Sequence, residues 1–296
     1  MNIVLAGATG FLGTPLIRWL KNDGHRLTVL TRTPRHPDEV RWDPYGSPAS
    51  WVHVLKDADA VINLAGASIS KRWTAAHKGD MLVSRIRSTR TLIEAMKSVP
   101  RMPATLLNAS AVGIYGARGD ELITEDSPPG SGFLASLARE WEEEALAARP
   151  RTRVVLLRSG IAFDTDGGAL PPMAMPFRFF VGGRVGSGRQ YLSWIHRDDW
   201  VAMVTWALTA HGIEGALNVT SPNPVTNAEF ARTLGRVLRR PALLPVPAVA
   251  LRVAVGEMAG ELVTGQRVLP EKAKASGFVF RYPDLESALR EIYGRA

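Results

Sequence analysis

The sequence predicts an α/β protein built on a doubly wound parallel sheet. Short apolar runs alternate with helical patterns from residue 2 to about residue 160. The first run, at 3–6, passes straight into a loop with glycines at 7, 10 and 13. Apolar strands of this kind need cover on both faces, and right-handed helical crossovers supply it.

Taken in order, the strand at 3–6 is followed by a helix face of Leu16, Ile17 and Leu20, with Gly24 placed to end it. A second strand spans 26–31 (RLTVLT), and a third, 59–64 (DAVINL), ends in Ala65-Gly66. A long helix follows, with Met81, Leu82, Ile86, Leu92, Ile93 and Met96 at helical spacing. Residues 104–110 (ATLLNAS) read as a strand, 133–149 as a helix and 153–160 (RVVLLRSG) as a strand. The Gly- and Pro-rich stretch 164–188 reads as a long crossing segment. A short strand at 191–195 precedes a helix bearing Val201, Val204 and Leu208, capped by Asp198 or Asp199. After a strand at 217–220, Thr226 and Glu229 form a capping box for a helix to about Leu238. The remainder is helical, with Pro and Gly breaks. The expected division is a nucleotide-binding domain of 1–163 plus about 194–223, and a small C-terminal substrate lobe of 164–193 and 224–296.

The 296 residues are 46% apolar, which suits one large domain or a domain with an appendage. No apolar run reaches transmembrane length; the best candidate, 241–255, carries three prolines and Arg252 and reads as a linker entering a core helix. No signal peptide is expected. The absence of cysteine excludes disulfides and thiolate metal sites and fits a cytoplasmic protein. The six histidines lack ligand spacing, so no metal is expected. The net charge of +8 comes from scattered, mostly arginine residues, with no polybasic block to suggest a nucleic-acid partner.

The G-x-x-G-x-x-G spacing has a physical purpose. Gly7 permits the strand-to-helix turn, Gly10 lets the backbone approach a pyrophosphate, and Gly13 lets the helix pack on the strand. The helix N-terminus then offers free N–H groups to phosphate. An NAD site usually ends its second strand in Asp or Glu. This chain has Thr31, Arg32, Thr33 and Arg35 there. Arginine pairs with a 2′-phosphate, so NADP is expected over NAD; the alternative for Arg32 is a plain surface arginine.

With GATGFLG at 7–13, DAVINLAG at 59–66, NASAVGIYG at 108–116, LLRSG at 156–160 and WIHRDD at 194–199, the chain resembles the short-chain dehydrogenase/reductase superfamily in its extended, NAD-dependent epimerase/dehydratase form. SKRWTAAHKGDMLVSRIRSTRTLIEAM, GDELITEDSPPGSGFLA, GSGRQYLSWIHRDDW and GQRVLPEKAKASGF extend the resemblance over essentially the whole chain. They are similar to an atypical branch of epimerase family proteins, the YfcH-like group. The resemblance implies a Rossmann sheet of about seven strands with a C-terminal substrate lobe. It places Gly7, Thr9, Gly10, Phe11, Leu12 and Gly13 along the pyrophosphate and Arg32, beside Thr31 and Arg35, at the 2′-phosphate. Leu64, Ala65 and Gly66 would pass the adenine ribose and phosphates, and Asn108, Ala109 and Ser110 would border the nicotinamide ribose. Relatives often dimerise through the helices near 80–97 and 133–149, but the apolar stripe from Met81 to Met96 is equally explained by packing on the sheet, so the expected state is monomer or homodimer.

The superfamily's chemistry rests on Tyr-x-x-x-Lys, in which lysine lowers the tyrosine pKa for proton transfer. Here the corresponding residues are Phe133 and Leu137, and no tyrosine lies between Gly116 and Tyr191. Ser110 and Tyr115 are the candidate substitutes for catalysis; the alternatives are a strand-end serine that satisfies backbone groups and a packing tyrosine. Lys71, Arg72 and Trp73 are substrate-side candidates. Arg158 is either a substrate ligand or a structural ion partner, and His196 either an acid/base group or part of the turn before its helix. The resulting expectation is an NADP-dependent oxidoreductase or nucleotide-sugar epimerase-like enzyme with a non-standard active site. The alternative is a catalytically silent NADP-binding redox sensor or regulatory protein.

Overall fold

The computed structural model describes residues 1–246 and 256–294. Seven parallel strands form the central sheet: β1 Asn2–Ala6, β2 Arg26–Thr31, β3 Glu39–Arg41, β4 Ala60–Asn63, β5 Thr105–Ala111, β6 Arg153–Ser159 and β7 Gly215–Val219. Their order is β7-β6-β5-β4-β1-β2-β3. The chain winds outward in both directions from β1, so the crevice between the loops after β1 and β4 is the topological switch point where such sheets take ligands. The α/β doubly wound Rossmann sheet read from the sequence is the one observed.

The inner strands bury both faces, and β1 shows how. Ile3 and Leu5 enter one core with Leu16 and Leu20 of helix α1 (Gly13–Asn22) and Trp200, Val201 and Val204 of helix α5 (Arg197–Thr209). Val4 and Ala6 enter the opposite core. There they meet Leu92, Ile93 and Met96 of helix α2 (Ala75–Ser98) and Ala145 of helix α3 (Phe133–Leu146). The side-chain period of two thus divides one apolar run between two helical layers. A third core joins Phe163, Trp194 and Phe230 to Leu285 and Leu289 of the helix Leu285–Gly294. It also includes Leu170 and Phe177 of helix α4 (Leu170–Arg178) and Leu234 of helix α6 (Asn227–Leu238).

Four details differ from the sequence reading. Strand β3 has only three residues, none fully buried, at the sheet edge, too short to carry an alternating pattern. The segment 164–188 contains α4, which begins at Leu170 with Pro171 and Pro172 in its first turn, where no N–H partner is needed. The strand expected at 191–195 is two short strands. Tyr191–Leu192 pairs with Val225–Thr226, whereas Trp194–His196 pairs with Ile161–Asp164. Helix α5 is capped by the His196 side chain rather than by Asp198 or Asp199. Thr226 caps α6 as read, accepting the Glu229 N–H at 3.2 Å. Residues 247–255, part of the expected linker 241–255, lie outside the described residues. Among the described residues no helix is long and apolar enough to cross a membrane.

Arg153 ties α5 to the sheet. Its guanidinium donates to the carbonyls of Ala207, Leu208, Ala210 and Ile213 at 2.6–3.4 Å and to Thr105 Oγ1 at 3.2 Å. One cation thereby satisfies the orphan carbonyls at a helix C-terminus. Arg153→Met is expected to lower the urea unfolding free energy by about 3 kcal/mol, and lysine, without the planar fork, to restore less than half.

Candidate functional site

The loop between β1 and α1 is shaped by what its glycines exclude. Gly7 has φ +70°, and a Cβ there would stand 2.5 Å from the Ala65 backbone. A Cβ on Gly13 would collide with the Ala8 carbonyl. Gly10, by contrast, has open space where its side chain would be, and Gly7, Thr9 and Gly10 are exposed. Two glycines therefore close the turn while the middle one leaves a cradle open. Helix α1 has no side-chain cap; in its first turn the Thr14 N–H donates to the Gly10 carbonyl at 3.0 Å, the Leu16 N–H donates to the Leu12 carbonyl at 3.4 Å and Pro15 has no N–H, so the loop backbone rather than a row of free helix N–H groups shapes the cradle. The Phe11 ring turns away, packed under Gly167 and Gly168 with the Arg197 guanidinium 5.6 Å from its centroid. This arrangement fits a dinucleotide pyrophosphate.

At the end of β2 the backbone turns through Thr31, Arg32 and Thr33, and the Glu39 carboxylate accepts the Arg35 N–H at 2.5 Å and the His36 N–H at 3.3 Å. The Arg32 and Arg35 side chains are exposed and have no acidic partner among the described residues. Arg41, opposite Thr31 on β3, donates to the Arg32 carbonyl. It adds a third guanidinium that sequence reading missed because β3 itself was missed.

Leu64, Ala65 and Gly66 lie beside the glycine loop, with Ala65 against Gly7. Asn63 and Asn108 are fully buried and bonded to each other at 2.7 Å, Asn63 also to Thr89 at 2.9 Å. Thr89 in turn accepts the Trp141 indole N–H. Asn108, read as bordering a ribose, therefore joins β5 to β4, and Ala109 beside it stays partly exposed.

The catalytic substitutes read from the sequence point inward. Ser110 Oγ donates to Glu142 Oε1 at 2.6 Å and is 5% exposed. Glu142 forms a two-point ion pair with Arg158, at 2.9 and 2.8 Å. Arg158 donates to the Tyr115 hydroxyl at 2.9 Å, and that hydroxyl donates to Asn218 Oδ1 at 2.8 Å. Asn218 N and Lys272 N both donate to the Glu125 carboxylate. Burial pulls the Arg158 pKa down, but hydrogen bonds and charge from Glu142 outweigh it and push it above the ordinary arginine value. Burial raises the Tyr115 phenol and the Glu125 carboxyl. Ser110, Tyr115 and Arg158 thus form a buried brace between β5, β6, β7 and α3. Glu142 and Glu125 gave no sequence signal, because only the fold brings them to Arg158 and Asn218.

At the positions of the missing catalytic pair, Leu137 is buried with Trp73 and Met81, and Phe133 packs edge-on to Trp73 at 5.5 Å. Trp73, read as a substrate clamp, is 6% exposed and donates to the Ile69 carbonyl. Lys71 and Arg72 remain exposed. Lys78 stands 5.1 Å over the Phe133 ring and pairs with Glu257. His196 is fully buried and lies outside this crevice's polar lining. Its Nδ1 accepts the Asp198 N–H at 3.0 Å, which puts the proton on Nε2, 2.9 Å from Glu291 Oε2. Both nitrogens are engaged, so His196 has no lone pair for a metal shared with Asp198 and Glu291. Asp199 accepts the N–H groups of Arg281 and Tyr282.

Sequence comparison agrees with this architecture. Residues 3–220 match the NAD dependent epimerase/dehydratase family, and residues 246–292 match a domain of unknown function, DUF1731. The chain belongs to the NAD dependent epimerase/dehydratase family. It is 42% identical to the epimerase family protein YfhF of Bacillus subtilis, over 99% of this chain and 98% of that one. It superposes on the crystal structure of human epimerase family protein SDR39U1 (isoform 2) with NADPH. The TM-score is 0.91 at 35% identity, covering 100% of both chains. It also superposes on a nucleoside-diphosphate sugar epimerase from Corynebacterium glutamicum, with a TM-score of 0.82 at 30% identity, covering 99% of this chain and 58% of that one.

Two measurements check the brace. Glu142→Ala leaves Arg158 buried and unpaired and is expected to cost about 3–5 kcal/mol in urea unfolding. Ser110→Ala should cost about 2 kcal/mol and leave cofactor affinity within about twofold; a Ser110 that faced a ligand would show the reverse. For His196, burial holds the pKa below its ordinary 6.5, against the pull of Asp198, Glu291 and Asp199. Its contribution to stability is therefore complete above that value and is lost as pH falls toward the lowered folded one. His196→Asn keeps a capping acceptor and removes the titration, so its unfolding free energy should fall less than wild type between about pH 7 and pH 5.

Proposed function

We propose that this chain binds NADPH across the carboxyl ends of β2, β1, β4 and β5 and acts as an NADP-dependent oxidoreductase or epimerase-like enzyme on a polar, nucleotide-sugar-like small molecule. The observation that carries the reading is the open cradle at Gly10 between the closed turns at Gly7 and Gly13. The unpaired Arg32 and Arg35 side chains favour the 2′-phosphate of NADP over the ribose hydroxyls of NAD. The relatives support the same reading, since human SDR39U1 was crystallised with NADPH and the C. glutamicum protein is described as a nucleoside-diphosphate sugar epimerase.

Bound nicotinamide supplies hydride chemistry. The chain's own part is to hold and orient it. Gly7–Gly13 and the α1 N-terminus receive the pyrophosphate, Arg32 and Arg35 the adenosine end, and Gly66 and Ala109 lie toward the reactive end. Phe133, Leu137 and Trp73 make the wall there apolar and exclude water from it. None of these three moves a proton, and Ser110 and Tyr115 are held in the buried brace. That same observation favours a second reading, an NADP-binding redox sensor without catalysis.

Calorimetric titration should show NADPH binding at least tenfold tighter than NADH, and Arg32→Asp should remove most of that preference; equal affinities in the wild type would refute the role of Arg32. Gly10→Val places a side chain in the cradle and should weaken both cofactors more than tenfold with the unfolding midpoint retained. A panel of nucleotide sugars and small carbonyl compounds, followed by NADPH oxidation and by isomer exchange, separates enzyme from sensor. Silence across the panel with tight NADPH binding selects the sensor.

A further inference from the structure

Three buried or half-buried arginines of this protein are matched to acceptors, although the Arg197 Nε has no partner; Arg85 and Arg267, whose Nε is also buried and unpartnered, are matched less well. Arg158 has Glu142 on two sides. Arg197 has Asp164 and Asp166. Arg153 has four carbonyls and a hydroxyl. Arg85 on α2 has a single contact of this kind, one N–H donated to the Met81 carbonyl at 3.2 Å within its own helix. No carboxylate pairs with it among the described residues. A guanidinium carries five N–H donors, so four are left over.

The position of Arg85 is not that of a surface arginine. It follows Met81 by one turn on the buried stripe of α2, while its neighbours Arg87 and Arg90 are exposed. Its guanidinium stands 5.0 Å from the Trp141 ring on α3. It also fills the space beside Gly66, where a Cβ would lie only 3.0 Å from Arg85 Cζ. Gly66 is exposed and follows Ala65, the residue that closes on Gly7. The guanidinium is therefore seated between α2 and α3 at the carboxyl end of β4, on the side of the glycine loop away from Arg32. Desolvation pulls its pKa down to about 10, with no acidic neighbour to raise it, so it remains charged at neutral pH. A half-buried cation with this little protein compensation costs stability, and a ligand that supplies acceptors would offset that cost.

We infer that Arg85 is an anion-binding residue of the crevice, receiving a phosphate or carboxylate oxygen pair at the nicotinamide half of the site. The inference rests on the cofactor orientation proposed above. One ligand chemistry has two sources here: the cofactor phosphate nearer nicotinamide, or an acidic group on the substrate. Arginine meets either with parallel N–H donors, and Gly66 keeps the approach free of side-chain atoms.

The test uses the full-length chain with Arg85→Met and Arg85→Lys, titrated with NADPH and with adenosine 2′,5′-bisphosphate, which lacks the nicotinamide-side phosphate. Inorganic phosphate and malonate are titrated against protein with and without NADPH. If the cofactor phosphate is the ligand, Arg85→Met weakens NADPH by about tenfold or more and leaves the bisphosphate unchanged. If a substrate anion is the ligand, NADPH affinity holds, wild type binds phosphate or malonate, and Arg85→Met loses that binding. In both cases the ligand-free methionine variant melts at or above the wild-type temperature, because an under-compensated charge has gone. A lower melting temperature with all four affinities unchanged identifies a structural arginine and overturns the inference. Failure of wild type to bind NADPH refutes the cofactor reading instead, and anion binding by the cofactor-free protein then still decides the role of Arg85.

Discussion

The contact on which the site depends is between two pieces of backbone. At Gly7 the chain leaves β1 with a positive φ and passes so close to Ala65, at the end of β4, that no side chain fits between them. At Gly13 the first turn of α1 closes on Ala8 in the same way. These exclusions press the loops after β1 and β4 together at the point where the strand order reverses. They also aim the uncapped start of α1 across the resulting crevice. The two apolar layers beneath hold the strands in register, so the loops inherit their positions from the sheet rather than from their own composition.

The parts legible from sequence are those whose signal is local. Strand β2 is Arg26–Thr31 in both readings, because an apolar run between Gly24 and a charged turn has one natural boundary at each end. The Thr226 cap and the glycine triplet are likewise set by residues a few positions apart. What escaped the sequence is defined across the fold. Strand β3 is a strand because β2 offers it an edge. His196 caps α5 because it is wholly buried, where an imidazole serves as acceptor and donor at once. The Glu142–Arg158 brace joins residues 16 positions apart whose partners, Tyr115 and Asn218, come from elsewhere in the chain. Arg85 looked like one of several arginines on a polar helix. Only its place on the Met81 stripe could have marked it.

Among the polar residues of the site, burial direction separates structure from function. Ser110, Tyr115 and Arg158 carry chemistry in principle, but each spends its hydrogen-bonding capacity on another buried group. Arg32 and Arg35, on the loop after β2, and Arg85, on α2 beside Gly66, have donors left over. Satisfied groups hold the site in shape, and unsatisfied ones are available to a ligand.

The loss of the catalytic pair is a change of environment as much as of two residues. Leu137 is 4% exposed in a cluster with Trp73 and Met81, and Phe133, Leu134 and Met258 pack around it. A lysine at 137 would lose its hydration there and be driven toward the neutral amine. A neutral lysine neither lowers a phenol pKa nor holds a ribose by charge. A tyrosine at 133 would still meet the edge of Trp73, with Lys78 already committed to Glu257. Restoring Tyr and Lys alone therefore does not restore the pair's chemistry, because Trp73 and its neighbours have rebuilt the pocket around apolar contacts. The face of α3 where the superfamily keeps its proton-moving pair is thus an apolar wall in this chain.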